Sequence, residues 1–261
     1  MQKTLVVIPT YNERANLESM VHRVTEVISS IEVLVVDDNS PDGTGQLADD
    51  LAAANPRVHV LHRAGKDGLG AAYRAGFAWG FERGYGYLVE MDGDGSHHPE
   101  QLPALLAALD AGADLAIGTR WMPGGEVHNW PTSRRLLSRG GTAFARVMLR
   151  SHLRDITSGY RAFRASALRS QHVESVASQG YGFQVELAWR IERAGLVITE
   201  VPISFTEREG GTSKMSLGIV LEAMGRVFAW GVADRMPGAA PRRRSVVNPA
   251  TPGGGQQADR A

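Results

Sequence analysis

Short apolar runs rich in valine, isoleucine and leucine alternate, over the first 120 positions, with longer stretches whose apolar residues recur every three or four places. Residues 5–8, 33–36, 58–61, 87–91 and 115–117 read as strands, and their near-continuous apolarity marks strands covered on both faces. Helical periodicity fills residues 16–28, 44–54, 71–83 and 100–109. This alternation predicts an α/β fold, one domain with a mostly parallel central sheet and helices on both faces. Beyond Arg120 the pattern loosens into a Gly/Pro-rich loop at 121–131, a helix at 136–149, a short segment at 160–164, a helix at 183–194, a strand at 198–205 and a last helix at 217–230. From residue 237 onward Pro, Gly, Ala, Arg and Gln leave almost nothing to bury, which predicts a disordered tail at 236–261 behind a domain at 1–235.

Composition narrows the choices in two places. The 28 Lys and Arg balance 28 Asp and Glu, so no net field draws the chain to nucleic acid. The absence of cysteine removes disulfides and thiolate metal sites and fits a cytoplasmic protein. No stretch reaches the roughly 18–20 uninterrupted apolar residues of a spanning helix, and the first apolar run stops at Pro9, so neither a span nor a cleavable signal is expected.

In open α/β sheets ligands bind beyond the carboxyl ends of the strands, and here those ends are polar. The first strand ends in Pro9-Thr10-Tyr11-Asn12-Glu13, the second in Asp37-Asp38-Asn39-Ser40-Pro41-Asp42-Gly43-Thr44, and the fourth in Asp92-Gly93-Asp94-Gly95-Ser96-His97-His98. Two carboxylates at i and i+2 on an apolar strand repel each other unless a cation lies between them. A hard divalent ion held by one or two carboxylates and substrate phosphates satisfies both; a simple turn at Asp94-Gly95 is the bland alternative. Asp42 reads as a helix cap, whereas the adjacent Asp37 and Asp38 are placed to accept from a nucleobase N–H. Gly68-Leu69-Gly70-Ala71-Ala72-Tyr73 imitates a dinucleotide fingerprint, but Tyr73 replaces the third glycine, so these glycines are read as letting a loop pass close to a bound ligand. His97 and His98 point apart and precede Pro99, which favours a role in opening the next helix.

These motifs resemble the family 2 glycosyltransferases of GT-A fold. Gly118-Thr119-Arg120, Trp130 with Arg134, Ser138-Arg139-Gly140, Asp155-Ile156-Thr157-Ser158-Gly159-Tyr160-Arg161, Glu200-Val201-Pro202 and Gly211-Thr212-Ser213-Lys214 resemble, within it, the dolichyl- and polyprenyl-phosphate mannose synthases. The resemblance spans residues 4–232 in one register. It implies that Pro9, Tyr11, Glu13, Val36 and Asp38 hold the guanosine of GDP-mannose, with Gly93 against the donor. It implies Mg²⁺ or Mn²⁺ on Asp92 and Asp94, with Ser96 where many relatives carry a glutamine ligand, and Arg208 and Lys214 on a loop that closes over the donor. The multi-span C-terminal region of some relatives has no counterpart here, so a membrane-anchor protein is a possible partner; nothing in the sequence decides the oligomeric state.

A lipid phosphate has a second pKa near ~6 and is already charged at neutral pH, so it needs no general base. It needs cations, and arginine is planar, bidentate and always protonated. Arg120 and Arg134 are the candidates, with Arg135, Arg139 and Arg146 close by. In-line attack would invert the anomeric centre and yield a polyprenyl-phosphate mannose. A UDP-sugar transferase acting on polyprenyl phosphate or a saccharide, and a non-catalytic nucleotide-binding module, are the alternatives. The carboxylate base and Gln-x-x-Arg-Trp motif of processive members are not found, and an intact set of acids and arginines argues against the module. Gln184 and Glu186 are read either as approaching the sugar or as packing and surface residues. A bilayer-tethered acceptor predicts a peripheral protein on the cytoplasmic face. Residues 217–230 are read as a helix at the interface that buries Phe228 and Trp230 or as a closing helix on the core, with Arg242-Arg243-Arg244 as an added anionic-surface contact.

Overall fold

The computed structural model describes residues 2–176, 178, 180–207, 217–236 and 247–249. Five strands and four helices alternate first: β1 (Thr4–Thr10), α1 (Arg14–Val27), β2 (Ile31–Asp37), α2 (Thr44–Ala54), β3 (Val58–His62), α3 (Leu69–Glu82), β4 (Tyr87–Glu90), α4 (Leu102–Asp110) and β5 (Leu115–Thr119). Then come β6 (Glu126–His128), α5 (Thr132–Leu149), β7 (Arg161–Arg164), α6 (Ala165–Ser170), α7 (Tyr181–Arg193), β8 (Ile198–Pro202), β9 (Ser204–Thr206), α8 (Leu217–Ala233) and β10 (Val247–Pro249).

The expected mostly parallel sheet is observed, in the order β10-β8-β5-β7-β4-β1-β2-β3. One strand breaks the pattern: β7 runs antiparallel between β4 and β5, pairing Glu90 with Arg161 and Ile117 with Arg161 on its two sides. Both faces are covered. Leu5, Val7, Leu34, Val36 and Leu88 bury one face under Tyr73 and Phe77 of α3 and Phe183 of α7. Val6, Ile8, Val33, Val35 and Val89 bury the other under α1 and α4. Alternate residues of one strand thus serve opposite cores, which is why these strands read as continuous apolar runs.

The second half departs from expectation in three places. The 198–205 run is two strands, because Pro202 ends β8 without an N–H for a longer ladder; β9 leaves the main sheet to pair with β6, inside the stretch expected to be loop. Helix α5 begins at Thr132, one turn before the predicted start. Val247–Pro249, within the stretch expected to lack structure, pairs in parallel with β8 at the sheet edge; Arg242, Arg243 and Arg244 lie outside the described residues, as do Arg208 and Lys214.

Candidate active site

Strands β1, β2 and β4 are neighbours, so their polar ends converge at one edge. The first two are laced together. The Asn12 N–H donates to Ser40 Oγ at 3.1 Å, the Glu13 N–H to Thr44 Oγ1 at 3.0 Å and the Arg14 N–H to Asp42 Oδ2 at 3.3 Å. Asp42 also accepts from the Thr44 N–H at 3.0 Å, but it precedes the N-cap of α2, which is Gly43 in a left-handed conformation with no side-chain cap, so the capping position expected for Asp42 falls to glycine. Asp37 and Asp38 divide their duties. Asp37 accepts from Thr10 Oγ1, Ser40 Oγ and the Ser40 N–H, so it is committed to shaping the loop. Asp38, buried, meets Arg63 Nη1 at 2.5 Å. Burial raises its pKa and Arg63 opposes that shift. Lys66 lies 4.2 Å above the Tyr11 ring, bringing the loop after β3 to the same place. Pro9 and Val36 face each other across the β1–β2 ladder, and Glu13 is buried beside them.

The β4 end is a tight turn. A Cβ on Gly93 would lie 3.2 Å from Ile8 Cγ2 and 3.3 Å from Pro9 O, and Gly95 has φ +78°, a conformation that favours glycine. Tyr73, in the third-glycine position of the false fingerprint, donates its hydroxyl to Asp92 Oδ1 at 3.3 Å. Ser96 donates both its N–H and its Oγ–H to Asp94 Oδ1, at 3.1 and 2.5 Å; its hydroxyl therefore orients that carboxylate. His97 does more than open a helix. Its Nδ1 accepts from the Asp92 N–H at 3.1 Å, while its ring stacks on Tyr160 at 5.0 Å and meets Phe205 edge-on at 5.3 Å. Burial, opposed by Asp94, drives its pKa down to about 4, so the ring is neutral with its proton on Nε2. His98 bonds Thr206 Oγ1 at 2.9 Å ahead of the Pro99–Gln101 turn. The glycines of 68–70 serve close packing, since a Cβ on Gly70 would meet Ser178 O at 2.8 Å and Phe183 at 2.9 Å.

A second group of residues collects across the crevice. Asp155, completely buried, accepts from the Arg120 N–H, Nε and Nη2 at 3.1, 2.7 and 2.8 Å, and Arg120 Nη2 also reaches Thr157 Oγ1 at 3.3 Å. The Arg120 and Arg134 guanidinium carbons lie 5.2 and 4.4 Å from the centre of the Trp130 ring, within cation–π range. Arg134 also pairs with Glu207. Both arginines line a cavity of about 310 Å³ whose other walls, Ser138 and Thr157 apart, are apolar, among them Leu137 and Phe144 of α5, Val185 of α7 and Met224 and Val227 of α8. Arg135 and Arg139 are directed elsewhere, to Val127 O at 2.9 Å and the Trp121 ring at 5.5 Å. Glu186 pairs with Arg190 on its own helix and accepts from Ser178, which is the packing role.

The charges of Asp92 and Asp94 suit a cation. They are half-buried; Tyr73 donates to the Asp92 carboxylate and Ser96 to that of Asp94, while neutral His97 accepts the Asp92 N–H. No cluster of three His, Cys, Asp or Glu occurs among the described residues, so a substrate diphosphate would have to complete the coordination, as is usual for Mg²⁺. Residue type alone does not single out Tyr73, Asp155 or Glu207 as site residues, and it gives His97 only a role in opening the next helix. The partners that distinguish Tyr73, Asp155 and Glu207 lie 19, 35 and 73 positions away, whereas His97 meets Asp92 only five positions back.

Residues 5–171 match the family Glycosyl transferase family 2. A polyprenol monophosphomannose synthase of Mycolicibacterium smegmatis is 56% identical over 247 residues, covering 94% of this chain and 92% of that protein. An undecaprenyl-phosphate mannosyltransferase of Micrococcus luteus is 55% identical over 240 residues, covering 92% and 98%. A mannosyltransferase from Pyrobaculum calidifontis, solved in complex with GDP-Man and Mn²⁺, superposes with a TM-score of 0.61 at 16% identity, over 92% of this chain and 66% of that one; at that identity it speaks for the fold. The polar strand ends, the mixed sheet and these likenesses agree, and the chain belongs to glycosyl transferase family 2, with the polyprenyl-phosphate mannose synthases as its near relatives.

Proposed function

We propose that this protein transfers mannose from GDP-mannose to a polyprenyl phosphate, inverting the anomeric centre. The observation that carries the acceptor assignment is the cavity lined by Arg120 and Arg134, by Ser138 and Thr157, and otherwise by glycine and apolar side chains. It offers fixed positive charge for a phosphate and an apolar wall for a hydrocarbon chain, and among the described residues no carboxylate lines it. Arg120 is preoriented by Asp155, so it meets the phosphate without reorganising, and its charge offsets repulsion between acceptor phosphate and donor diphosphate. The phosphate oxygen attacks the anomeric carbon in line as the bond to GDP breaks; no proton has to be removed. The donor lies at the ends of β1, β2 and β4, with Pro9, Tyr11, Glu13, Val36 and Asp38 around the guanosine and Gly93 against the sugar-diphosphate. Asp92 and Asp94, steadied by Ser96, would hold Mg²⁺ or Mn²⁺, which when bound supplies Lewis-acid stabilisation of the departing diphosphate. Arg208 and Lys214 complete the donor set in this reading.

No helix of the described residues is long and apolar enough to cross a membrane. The face shared by α5 and α8 nevertheless exposes Leu136, Val147, Leu221, Phe228 and Val232. Helix α8 serves two surfaces: Val227 enters the core and Trp230 stacks on Trp189 at 5.8 Å, while Phe228 is exposed. Of the two aromatic anchors expected at an interface, Phe228 alone remains available. We place this face on the cytoplasmic headgroup layer, where the acceptor resides.

The decisive experiment offers GDP-mannose, UDP-glucose and UDP-GlcNAc with a short polyprenyl phosphate and Mg²⁺ or Mn²⁺. Mannosyl transfer alone is expected; equal or greater transfer from a UDP-sugar overturns the donor assignment. Co-sedimentation with anionic liposomes tests the docking face, and Phe228→Asp is expected to abolish it.

A further inference from the structure

Arg161 is the largest fully buried side chain among the described residues. Its Nε donates to Ser158 O at 2.8 Å, Nη2 to Ile156 O at 2.6 Å and Nη1 to Gln184 O at 2.6 Å. Across the β4–β7 ladder it faces Glu90, which is also fully buried. Burial pushes the Glu90 carboxyl up to about 8, against the opposing charge of Arg161. Gln184 lies beside Glu90, but neither side chain makes a hydrogen bond of sound geometry. A guanidinium buried this deeply and bonded to three carbonyls holds backbone in place.

The backbone it holds is the loop between the two halves of the site. Residues 155, 157 and 159 face the site: Asp155 clamps Arg120, Thr157 bonds Arg120 and lines the cavity, and a Cβ on Gly159 would sit 3.4 Å from Asp92 Oδ2. The residues between them, Ile156 and Ser158, are the ones whose carbonyls accept from Arg161. The third carbonyl, of Gln184, precedes Val185, which lines the cavity from α7. One planar fork thereby fixes the clamp of an acceptor arginine, two walls of the cavity and the segment against a donor-side carboxylate. We infer that Arg161 is a positioning residue for transfer, setting the spacing between Arg120 and Asp92 through the 155–159 loop. This rests on the acceptor role proposed for Arg120.

Lysine keeps the charge opposite Glu90 but is a point donor on a flexible stem and cannot span three carbonyls in one plane. Arg161→Lys is therefore measured in the full chain by thermal melting, by GDP binding with Mn²⁺, and by steady-state transfer to a short polyprenyl phosphate. The folded variant is expected to keep GDP affinity within about threefold while kcat/KM for the acceptor falls about 10²-fold, the usual consequence of a displacement near 1 Å. A lower Tm with unchanged acceptor kinetics per GDP-binding molecule would reduce Arg161 to a packing residue and overturn the inference. If Arg161→Lys does not fold, the neutral double variant Glu90→Gln/Arg161→Gln is subjected to the same measurements with the same expectation. Failure of both to fold would assign Arg161 to the whole fold, which also overturns it. Arg134→Ala run in parallel separates the two readings. Acceptor KM moved by Arg134→Ala with acceptor kcat/KM unmoved by Arg161→Lys sinks this inference alone; KM unmoved by Arg134→Ala sinks the acceptor assignment beneath it.

Discussion

The side of the crevice proposed for the donor is made by three adjacent parallel strands, each delivering its polar residues within a few positions of its own end. The side proposed for the acceptor is made by Arg120 after β5, Trp130 and Arg134 around the start of α5, the 155–159 loop, Val185 on α7, Glu207 after β9 and Met224 on α8. Donor-side bonds run mostly between neighbouring loops and include neutral hydroxyls and amides. The acceptor side depends on buried or half-buried charge pairs whose partners are 35 and 73 positions apart in sequence. A parallel sheet places strand ends together by topology alone, so a donor site built there needs only short loops. A site for a charged headgroup on a hydrocarbon chain needs cations next to apolar walls, and those cations must be held by long-range partners.

Four changes test this division. Asp94→Asn strikes the donor side and has the largest expected effect. Loss of ion-dependent stabilisation worth several kcal/mol corresponds to a fall in kcat of roughly 10³-fold. The Tm should be nearly unchanged, because Asp94 sits in a half-exposed turn, and EDTA should silence the parent to the same level. Full turnover in EDTA would dissolve the distinction between the halves.

Arg134→Ala strikes the acceptor side. Removing a charged hydrogen bond worth about 1.5–3 kcal/mol should raise the KM for polyprenyl phosphate roughly 10- to 10²-fold, with GDP affinity unaltered by calorimetry. Equal loss in both would mean that Arg134 serves the donor.

Gly141→Leu asks whether the apolar wall holds a chain. Gly141 lines the cavity on α5 and nothing lies within 4 Å of an added Cβ, so the side chain enters open space and helix propensity improves. A severalfold rise in KM is expected for a long-chain acceptor and none for a truncated one, as read from transfer assays with both. A uniform effect on the two acceptors would place the chain elsewhere.

The smallest effect is a control at the opposite end of the sheet. There Glu32 accepts from Tyr85 at 2.6 Å, pairs with His59 at 2.6 Å and lies 3.3 Å from Lys3 Nζ. Burial raises its pKa, but these partners outweigh burial and leave it below 4.5. A depressed carboxylate contributes stability above its unfolded value that is lost as pH falls through the folded one. Glu32→Gln should lower Tm modestly at neutral pH, flatten its decline below pH 4.5 and leave both KM values untouched. Altered kinetics would show that this end is coupled to the site.

The β1, β2 and β4 ends were readable because strand propensity, buried periodicity and i, i+2 carboxylates are local signals, and topology then brings them together. The motif resemblance reached further and singled out Arg120, Arg134 and the 155–161 segment, yet without geometry it could not separate Arg161 from Arg120. One is enclosed by carbonyls and the other is clamped beside a cavity.

By itself the sequence determined the α/β alternation, the parallel sheet, the polar strand ends and the family, because each follows from neighbouring residues. Tertiary structure alone decided that β7 enters antiparallel between β4 and β5 and that β9 leaves the main sheet for β6. It also decided that Tyr73 and His97 orient Asp92 and that the cavity joins α5, α7 and α8 around two arginines. The His97–Asp92 contact apart, which spans five positions, those outcomes depend on contacts between residues 19 or more positions apart, whose energies arise only after the chain has closed on itself.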